Sequence, residues 1–242
     1  MIISEIFDDE YFEEGFGNLV KAGALGLGMT GAMSMSMPSQ AQDISKIKVE
    51  KSPEYVNAFF QSIFPAIKQT NTEIKKDREK LFNIMSKHQN SEEEQNWLKN
   101  KMAEYKAKDI NDLKSRMDVV PASLAMAQAA IESQWGKSEL ARGNNIFGQK
   151  ANKGSIIIGN DGKSYGAFDN ISSGVKSYMM NINTHPAYEN LRAIRHQERV
   201  KNKPISGVSL AGGLKKYSSK AGDYVKQVKH FIKRYNLTSL DS

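Results

Sequence analysis

From Pro121 to Trp135 the chain carries a single charge, Glu132, close to the end of the run. Leu124, Ala127, Gln128, Ile131 and Trp135 recur at the spacing of one helix face, so the run reads as an α-helix with a stripe against a core. Pro121 suits the first helical position, where an N–H would lack a partner anyway. Gly136 suits the position just past the end. A carboxylate in the last turn faces the unfavourable end of the helix dipole, and the neighbouring Trp135 indole limits its solvation. Both effects tend to raise a carboxyl pKa, which suits proton donation near neutral pH. A lone helical glutamate is more often a solvated carboxylate with no task, so the case for chemistry depends on the rest of the chain.

The preceding segment is helical. Val56, Phe59, Phe60, Ile63, Phe64 and Ile67 mark one apolar face, with Pro65 expected to kink a helix that continues through Ile74, Leu81, Ile84 and Met85. Ser91 with Glu92, Glu93 and Glu94 reads as a capped, acid-rich helix start, and Trp97, Leu98, Met102 and Tyr105 supply that helix's buried side. A short helix over 109–118 leads into Pro121.

Beyond the acid-bearing run, Ser138 is placed to cap a short helix ending at Arg142. Gly143-Asn144-Asn145 then forms a loop of residue types that tolerate left-handed backbone. Ile156-Ile157-Ile158, Gly159-Asn160-Asp161-Gly162 and the run from Lys163 to Phe168 carry a hairpin pattern. Helices are expected from Ser172 or Ser173 to about Thr184, from Ala187 to Val200, across 206–217 with close packing at Gly212-Gly213, and from Ala221 to about Tyr235.

Four strings stand in order: V-V-P-A-S-L-A-M-A-Q-A-A-I-E-S-Q-W-G, G-N-N-I-F-G-Q, S-Y-M-M-N-I-N-T-H-P-A-Y and L-A-G-G-L-K-K-Y-S-S-K-A-G-D-Y-V. Together they resemble the glucosaminidase family of peptidoglycan hydrolases, glycoside hydrolase family 73, and within it the Bax-type bacterial proteins. The likeness spans residues 119–237, with weaker similarity over 55–118. It implies a mainly α, lysozyme-like helical domain with a small β-hairpin lobe. The implied activity is cleavage of the β-1,4 bond between N-acetylglucosamine and N-acetylmuramic acid.

In that family Glu132 matches the general acid, and the loop with Asn144, Asn145, Phe147 and Gly148 matches the lining of the sugar cleft. Gln128, Ser133 and Trp135 are carried with the acid's motif as substrate-binding positions. Tyr217 and Tyr224 match tyrosines near the acid, Tyr224 as a catalytic position and Tyr217 as a substrate-binding one. The hairpin departs from the family's pattern, in which this lobe often supplies a second carboxylate. No glutamate stands in it, and Asp161 is the acidic residue it offers, equally suited to be a turn residue. Three routes to water attack stay open: Asp161 as a distant base, Tyr224 placing water or substrate, or the substrate's own acetamido group.

The organisation expected is an N-terminal arm and linker over 1–52, a helical segment over 53–118 packing on the next unit, and a catalytic domain over 119–242. With 39% hydrophobic and 25% charged residues the composition is that of a globular chain. The net charge of +7 favours polyanionic partners: nucleic acid, anionic lipid or cell wall. No nucleic-acid motif accompanies the basic residues, and aromatics are not interleaved with them, so the expected partner is the glycan strand of peptidoglycan.

The absence of cysteine excludes disulfides and thiolate metal sites. The histidines lack ligand spacing, so neither metal nor cofactor is expected, and His185 before Pro186 reads as a helix terminus. The arm joins an acidic-aromatic stretch to Lys21, a Gly/Ala/Met run and Ser39-x-Ala41. It reads either as a secretory signal, placing the protein in the periplasm or cell envelope, or as a retained arm docking into an assembly such as a bacteriophage particle. Two rivals to the glucosaminidase reading are a muramidase on the same scaffold and a non-catalytic wall-binding module.

Overall fold

The structure, a computed structural model, describes residues 53–151, 154–214 and 221–241. The arm and Tyr217 lie outside the described residues. Helix α1 (Glu54–Met85) runs 32 residues, about 48 Å at 1.5 Å per residue. It passes through Pro65 as one helix because apolar side chains on both sides of the proline are packed: Phe59, Phe60 and Ile63 before it, Ala66 and Ile67 after it. Its first half belongs to the main core, whereas Leu81 joins a second cluster with Tyr105, Leu113 and Met117. That cluster is closed by α2 (Glu92–Glu104) and α3 (Ile110–Arg116).

The starts of these two helices follow the sequence closely. Ser91 and Glu94 form a reciprocal capping box, and Asp109 accepts the Asp112 N–H at 2.8 Å. Helix α2 itself buries no residue fully; Trp97, Leu98 and Met102 lie partly buried against the second cluster.

At the centre is α4 (Ala122–Ser133). The sequence predicts one buried stripe, yet residues from Ala122 through Ala130 are buried on every side. The run is alanine-rich and uncharged until Glu132, so neighbours can close on it from all directions. It packs against α1, α7 (Gly207–Leu210), α8 (Ala221–Arg234) and the C-terminal 3-10 turn Leu237–Leu240. Pro121 stands one place earlier than expected, at the N-cap, and offers no side-chain cap. The cap comes from Asp241, which accepts the Ser123 N–H at 2.8 Å, the Ser123 hydroxyl at 2.6 Å and the Gly207 N–H at 3.0 Å. One carboxylate thus serves the starts of both α4 and α7.

The hairpin pairs β1 (Ile156–Ile158) with β2 (Ser164–Gly166) antiparallel, Ile157 opposite Tyr165. It stands on the loop beyond α4, through Phe168 N–H to Gly143 O (2.8 Å) and Gly166 N–H to Gln149 O (2.9 Å).

Helix α5 (Ile171–Thr184) is capped by Asn170, which accepts the Ser173 N–H at 2.9 Å, so the start falls before the serines expected to open it. His185 ends this helix and caps the 3-10 turn Pro186–Tyr188, its ring nitrogen accepting the Ala187 N–H. The next helix, α6 (Glu189–Val200), buries Arg192 and Arg195. Gly213 packs so closely on α6 that an added Cβ would stand 2.4 Å from Leu191 Cα, the close packing anticipated at Gly212-Gly213.

Candidate active site

Helix α4 ends three residues before Gly136. Gln134, Trp135 and Gly136 all take positive φ, at 50°, 62° and 81°. Left-handed backbone at two non-glycine residues costs on the order of 1–3 kcal/mol each, so the turn must be fixed from outside. Ser133 does part of this: its hydroxyl donates to Ala129 O at 2.6 Å and accepts the Gly136 N–H at 2.7 Å. The Trp135 indole does the rest. It stacks on Phe231 with centroids 5.6 Å apart and meets Tyr55, Phe59, Phe60 and Tyr235 edge-on.

Ser133 and Trp135 are therefore buried structural residues that set the direction in which Glu132 leaves the helix. The expectation that they touch substrate is corrected on this ground, since Trp135 is 3% exposed and Ser133 0%.

Glu132 itself is half-buried. Burial raises its pKa, opposed by the hydrogen bond that Tyr224 donates. The Tyr224 hydroxyl lies 2.6 Å from Oε1 of Glu132. Behind Tyr224, Gln128 Nε2 donates to that hydroxyl at 3.0 Å, and the Tyr178 hydroxyl donates to Gln128 Oε1 at 2.7 Å. The Tyr178 ring lies flat on Phe147, with centroids 3.8 Å apart. The other carboxyl oxygen, Oε2, stands 3.5 Å from where a Cβ of Gly148 would lie, and Gly148 has φ +62°. A backbone without a side chain thus passes beside the acid.

Gln128 and Phe147 are closed to a glycan, being 0% and 1% exposed. The motif places both at the cleft surface; they form the layer beneath the acid instead. Asn145 is likewise buried. Its Nδ2 donates to Gln149 O and Gly166 O, both at 2.8 Å, pinning the hairpin to the loop. It thus takes a turn-stabilising place rather than a cleft-lining one. Asn144 takes left-handed backbone, φ 56°, and donates to Phe168 O at 2.7 Å.

Asp161 sits exposed at the hairpin turn. Its oxygens accept from Lys163 N (3.1 Å), Lys163 Nζ (2.8 Å) and the Tyr165 hydroxyl (2.9 Å). The hydrogen bonds from Lys163, with that of Tyr165, pull its pKa down to about 2. So weak a base is poorly suited to activating water. It has the geometry of a turn residue.

Sequence reasoning misses Tyr178 as a site residue, although a tyrosine in an apolar stripe must find a partner for its hydroxyl. Tyr188, buried in the turn before α6, also feels the acid: burial and then the charge of Glu132 raise its pKa. Among the described residues no group of three or more His, Asp or Glu could hold a metal.

A helical body, a two-stranded lobe rooted in the loop beyond the central helix, and a sheltered carboxyl at that helix's end make up a lysozyme-like glycosidase domain. Residues 107–237 match the family model described as mannosyl-glycoprotein endo-beta-N-acetylglucosaminidase. The chain belongs to this glucosaminidase family of glycoside hydrolases.

It is 34% identical over 177 residues to protein Bax of Escherichia coli strain K12, a match covering 69% of this chain and 65% of Bax. The chain therefore spans somewhat less than two thirds of that relative's length. Among solved structures it is similar to the catalytic domain of the autolysin Auto of Listeria monocytogenes. That likeness has a TM-score of 0.46 and 15% identity, and covers 86% of this chain and 99% of the other.

Proposed function

We propose that the protein hydrolyses peptidoglycan at the β-1,4 bond between N-acetylglucosamine and N-acetylmuramic acid, with Glu132 as general acid. The observation that carries this reading is a half-buried carboxyl whose pKa is raised by burial, with one oxygen bonded by Tyr224 and the other beside the bare backbone of Gly148. The protonated acid gives its hydrogen to the glycosidic oxygen as the C–O bond breaks. The bonding electrons leave with that oxygen, and an oxocarbenium-like centre develops at C1. Water then adds at C1; its surplus proton goes to Glu132 when it enters on the leaving-group side, or to solvent when it enters from the opposite face, solvent then reprotonating Glu132.

Asp161, held ionised at the hairpin turn, is set aside as the base. Two routes are left: water placed by Tyr224, or the substrate's acetamido group acting as internal nucleophile. Direct attack by water inverts the anomeric centre and acetamido participation retains it, so the configuration of the first product separates them. Action on peptidoglycan places the protein's work outside the cytoplasm. Among the described residues no helix is long and apolar enough to cross a membrane. Sequencing the N-terminus of the mature protein decides whether residues 1–41 are a removed signal or a retained arm.

The test is mass analysis of purified wall after digestion. Fragments ending in reducing N-acetylglucosamine are expected, and Glu132→Gln abolishes their release while the protein stays folded. Fragments ending in reducing N-acetylmuramic acid mean a muramidase; wall retention without cleavage means a binding module. Lysis by purified Glu132→Gln removes Glu132 from the acid's role.

A further inference from the structure

The start of the chain and its remainder carry opposite charge. Glu5, Asp8, Asp9, Glu10, Glu13 and Glu14 stand before Lys21 with no basic residue among them, interleaved with Phe7, Tyr11, Phe12 and Phe16. The whole chain is +7, so setting these six acids aside leaves +13 on residues 21–242. The acidic-aromatic segment lies outside the described residues, and the body carries a groove of matching chemistry.

That groove is a hollow of about 550 Å³ between the second half of α1, α3 and the end of α6. Lys75, Arg78, Lys114 and Arg199 line it against one carboxylate, Glu79. Asp118 beneath is already shared by Arg78, Arg195 and Arg199, which leaves the floor short of negative charge. Of the large apolar side chains exposed among the described residues, Phe82 (39%) and Val200 (67%) both border this hollow. Arg78 and Lys114 stand 5.0 and 5.2 Å from the Phe82 ring centroid, so apolar surface and positive charge are offered together. A second hollow of about 270 Å³ shares Lys75 and Arg199 and extends the groove past Pro204 to the start of α4. Glu132 stands at the other end of α4, about 15 Å further along its axis. The surface is separate from the candidate active site.

We propose that this groove is the docking site of the chain's own residues 5–16, with the acids over the cations and the aromatic rings against Phe82 and Val200. A plain polyanion would engage the cations and leave Phe82 and Val200 in water; an acidic segment with aromatic rings engages both. The connection has a suitable length. From Glu54, α1 carries the chain about 32 Å to Lys75 and about 42 Å to Phe82. Residues 17–52 must make that return, and a coil of about 36 residues has a mean span of about 30–36 Å. A tether whose span matches the distance gives the highest effective concentration, so contacts too weak to hold a free peptide suffice. The proposal does not depend on what Glu132 does.

The chain has no cysteine, so Ser4→Cys in the full-length protein gives one attachment site for a nitroxide. Nuclear magnetic resonance then reads which backbone amides the label broadens. In ~0.01 M salt the broadening centres on Phe82, Lys114 and Val200 and spares the hairpin around Lys163; ~1 M salt, which cuts the screening length from about 30 Å to about 3 Å, reduces it severalfold. Lys114→Glu weakens it severalfold in low salt. So does the triple change Asp8→Asn, Asp9→Asn and Glu10→Gln, which leaves the folded body untouched.

Broadening that is absent, spread evenly over the surface or indifferent to the triple change overturns the proposal. Isotope-labelled chain mixed with spin-labelled chain identifies the occupant: broadening carried between molecules makes it the arm of a second copy and overturns docking within one chain. Soluble acidic wall fragments that shift the groove amides, while the nitroxide leaves those amides sharp, assign the surface to wall polymer instead. A mature protein that begins after Ala41 has no arm to dock and overturns the proposal outright.

Discussion

Replacing Asp118 by alanine tests whether the junction between α3 and α4 is held by charge. Asp118 is 2% exposed. It accepts two hydrogen bonds from Arg199, Nε at 3.1 Å and Nη2 at 2.8 Å, and the Val119 N–H at 2.8 Å. Arg78 lies 3.4 Å away and Arg195 4.0 Å.

Three guanidiniums share this carboxylate, and they differ in what they can do without it. Arg199 is half-exposed and can return to water. Arg195 is fully buried, and burial together with its cationic neighbours already lowers its pKa to about 10 despite Asp118. Its remaining partners are carbonyl oxygens of Ser115, Arg116, Asp118 and Val119 and the Asn183 side chain, which satisfy its hydrogens but not its charge. The variant thus leaves a buried cation unpaired, which costs about 3–5 kcal/mol.

The assay is urea unfolding followed by tryptophan fluorescence. Burial would raise the pKa of Asp118, but the Arg199 hydrogen bonds and the three guanidinium charges outweigh it and the net shift is down. A carboxylate lowered on folding contributes stability that is present above its unfolded pKa and lost as pH falls through the folded value. The gap between wild type and Asp118→Ala is therefore full at pH 7 and narrows in acid below the ordinary carboxylate range. A loss under about 1 kcal/mol at pH 7, the scale of an exposed pair, refutes the reasoning. So does a loss of equal size in strong acid.

Three further outcomes are expected of the same structure. The pKa of Glu132 is raised on folding, so its contribution to stability is complete below the unfolded pKa and lost as pH climbs through the folded one. Glu132→Gln should melt above wild type at alkaline pH, where the carboxyl is ionised, and match it in acid; equal melting at both points to a well-solvated carboxyl. Trp135→Ala empties the centre of the aromatic cluster and should cost about 3–5 kcal/mol, read by urea denaturation of the variant. Gly213→Ala drives a methyl into the Leu191 backbone. It should cost about 1–3 kcal/mol or more as overpacking, seen as a lowered melting temperature with unchanged bond specificity.

How much could be read without coordinates depends on how far apart the partners are in the chain. The cap made within three residues at Ser91 was legible, because the donor and acceptor are neighbours by construction. So were the apolar face of α1 and the turn at Gly159 to Gly162. Asp241 capping α4 from the far end of the chain was not, nor was Arg195 beneath the α3–α4 junction. In both, a charged residue on an ordinary polar pattern gains its role only when a distant element closes over it.

The site shows the same division. The motif around Glu132 pointed to that glutamate and its surroundings. It could not separate residues that meet solvent from those that support them, because Gln128, Ser133, Trp135, Asn145 and Phe147 adjoin the acid in sequence or loop yet point inward. Tyr178 carried a readable sign, a hydroxyl among apolar neighbours, but its partner could not be named until α4 and α5 were side by side.

The long first helix has a practical corollary for anyone trimming the chain. The family match begins at residue 107, which invites a shortened protein starting there. Such a piece would discard the half of α1 whose Val56, Phe59, Phe60, Ile63 and Ile67 complete the core around α4. It would also strip Tyr55, Phe59 and Phe60 from the Trp135 indole. The left-handed turn beneath Glu132 would lose its wedge, and the shortened protein would misplace that carboxyl before any substrate could reach it.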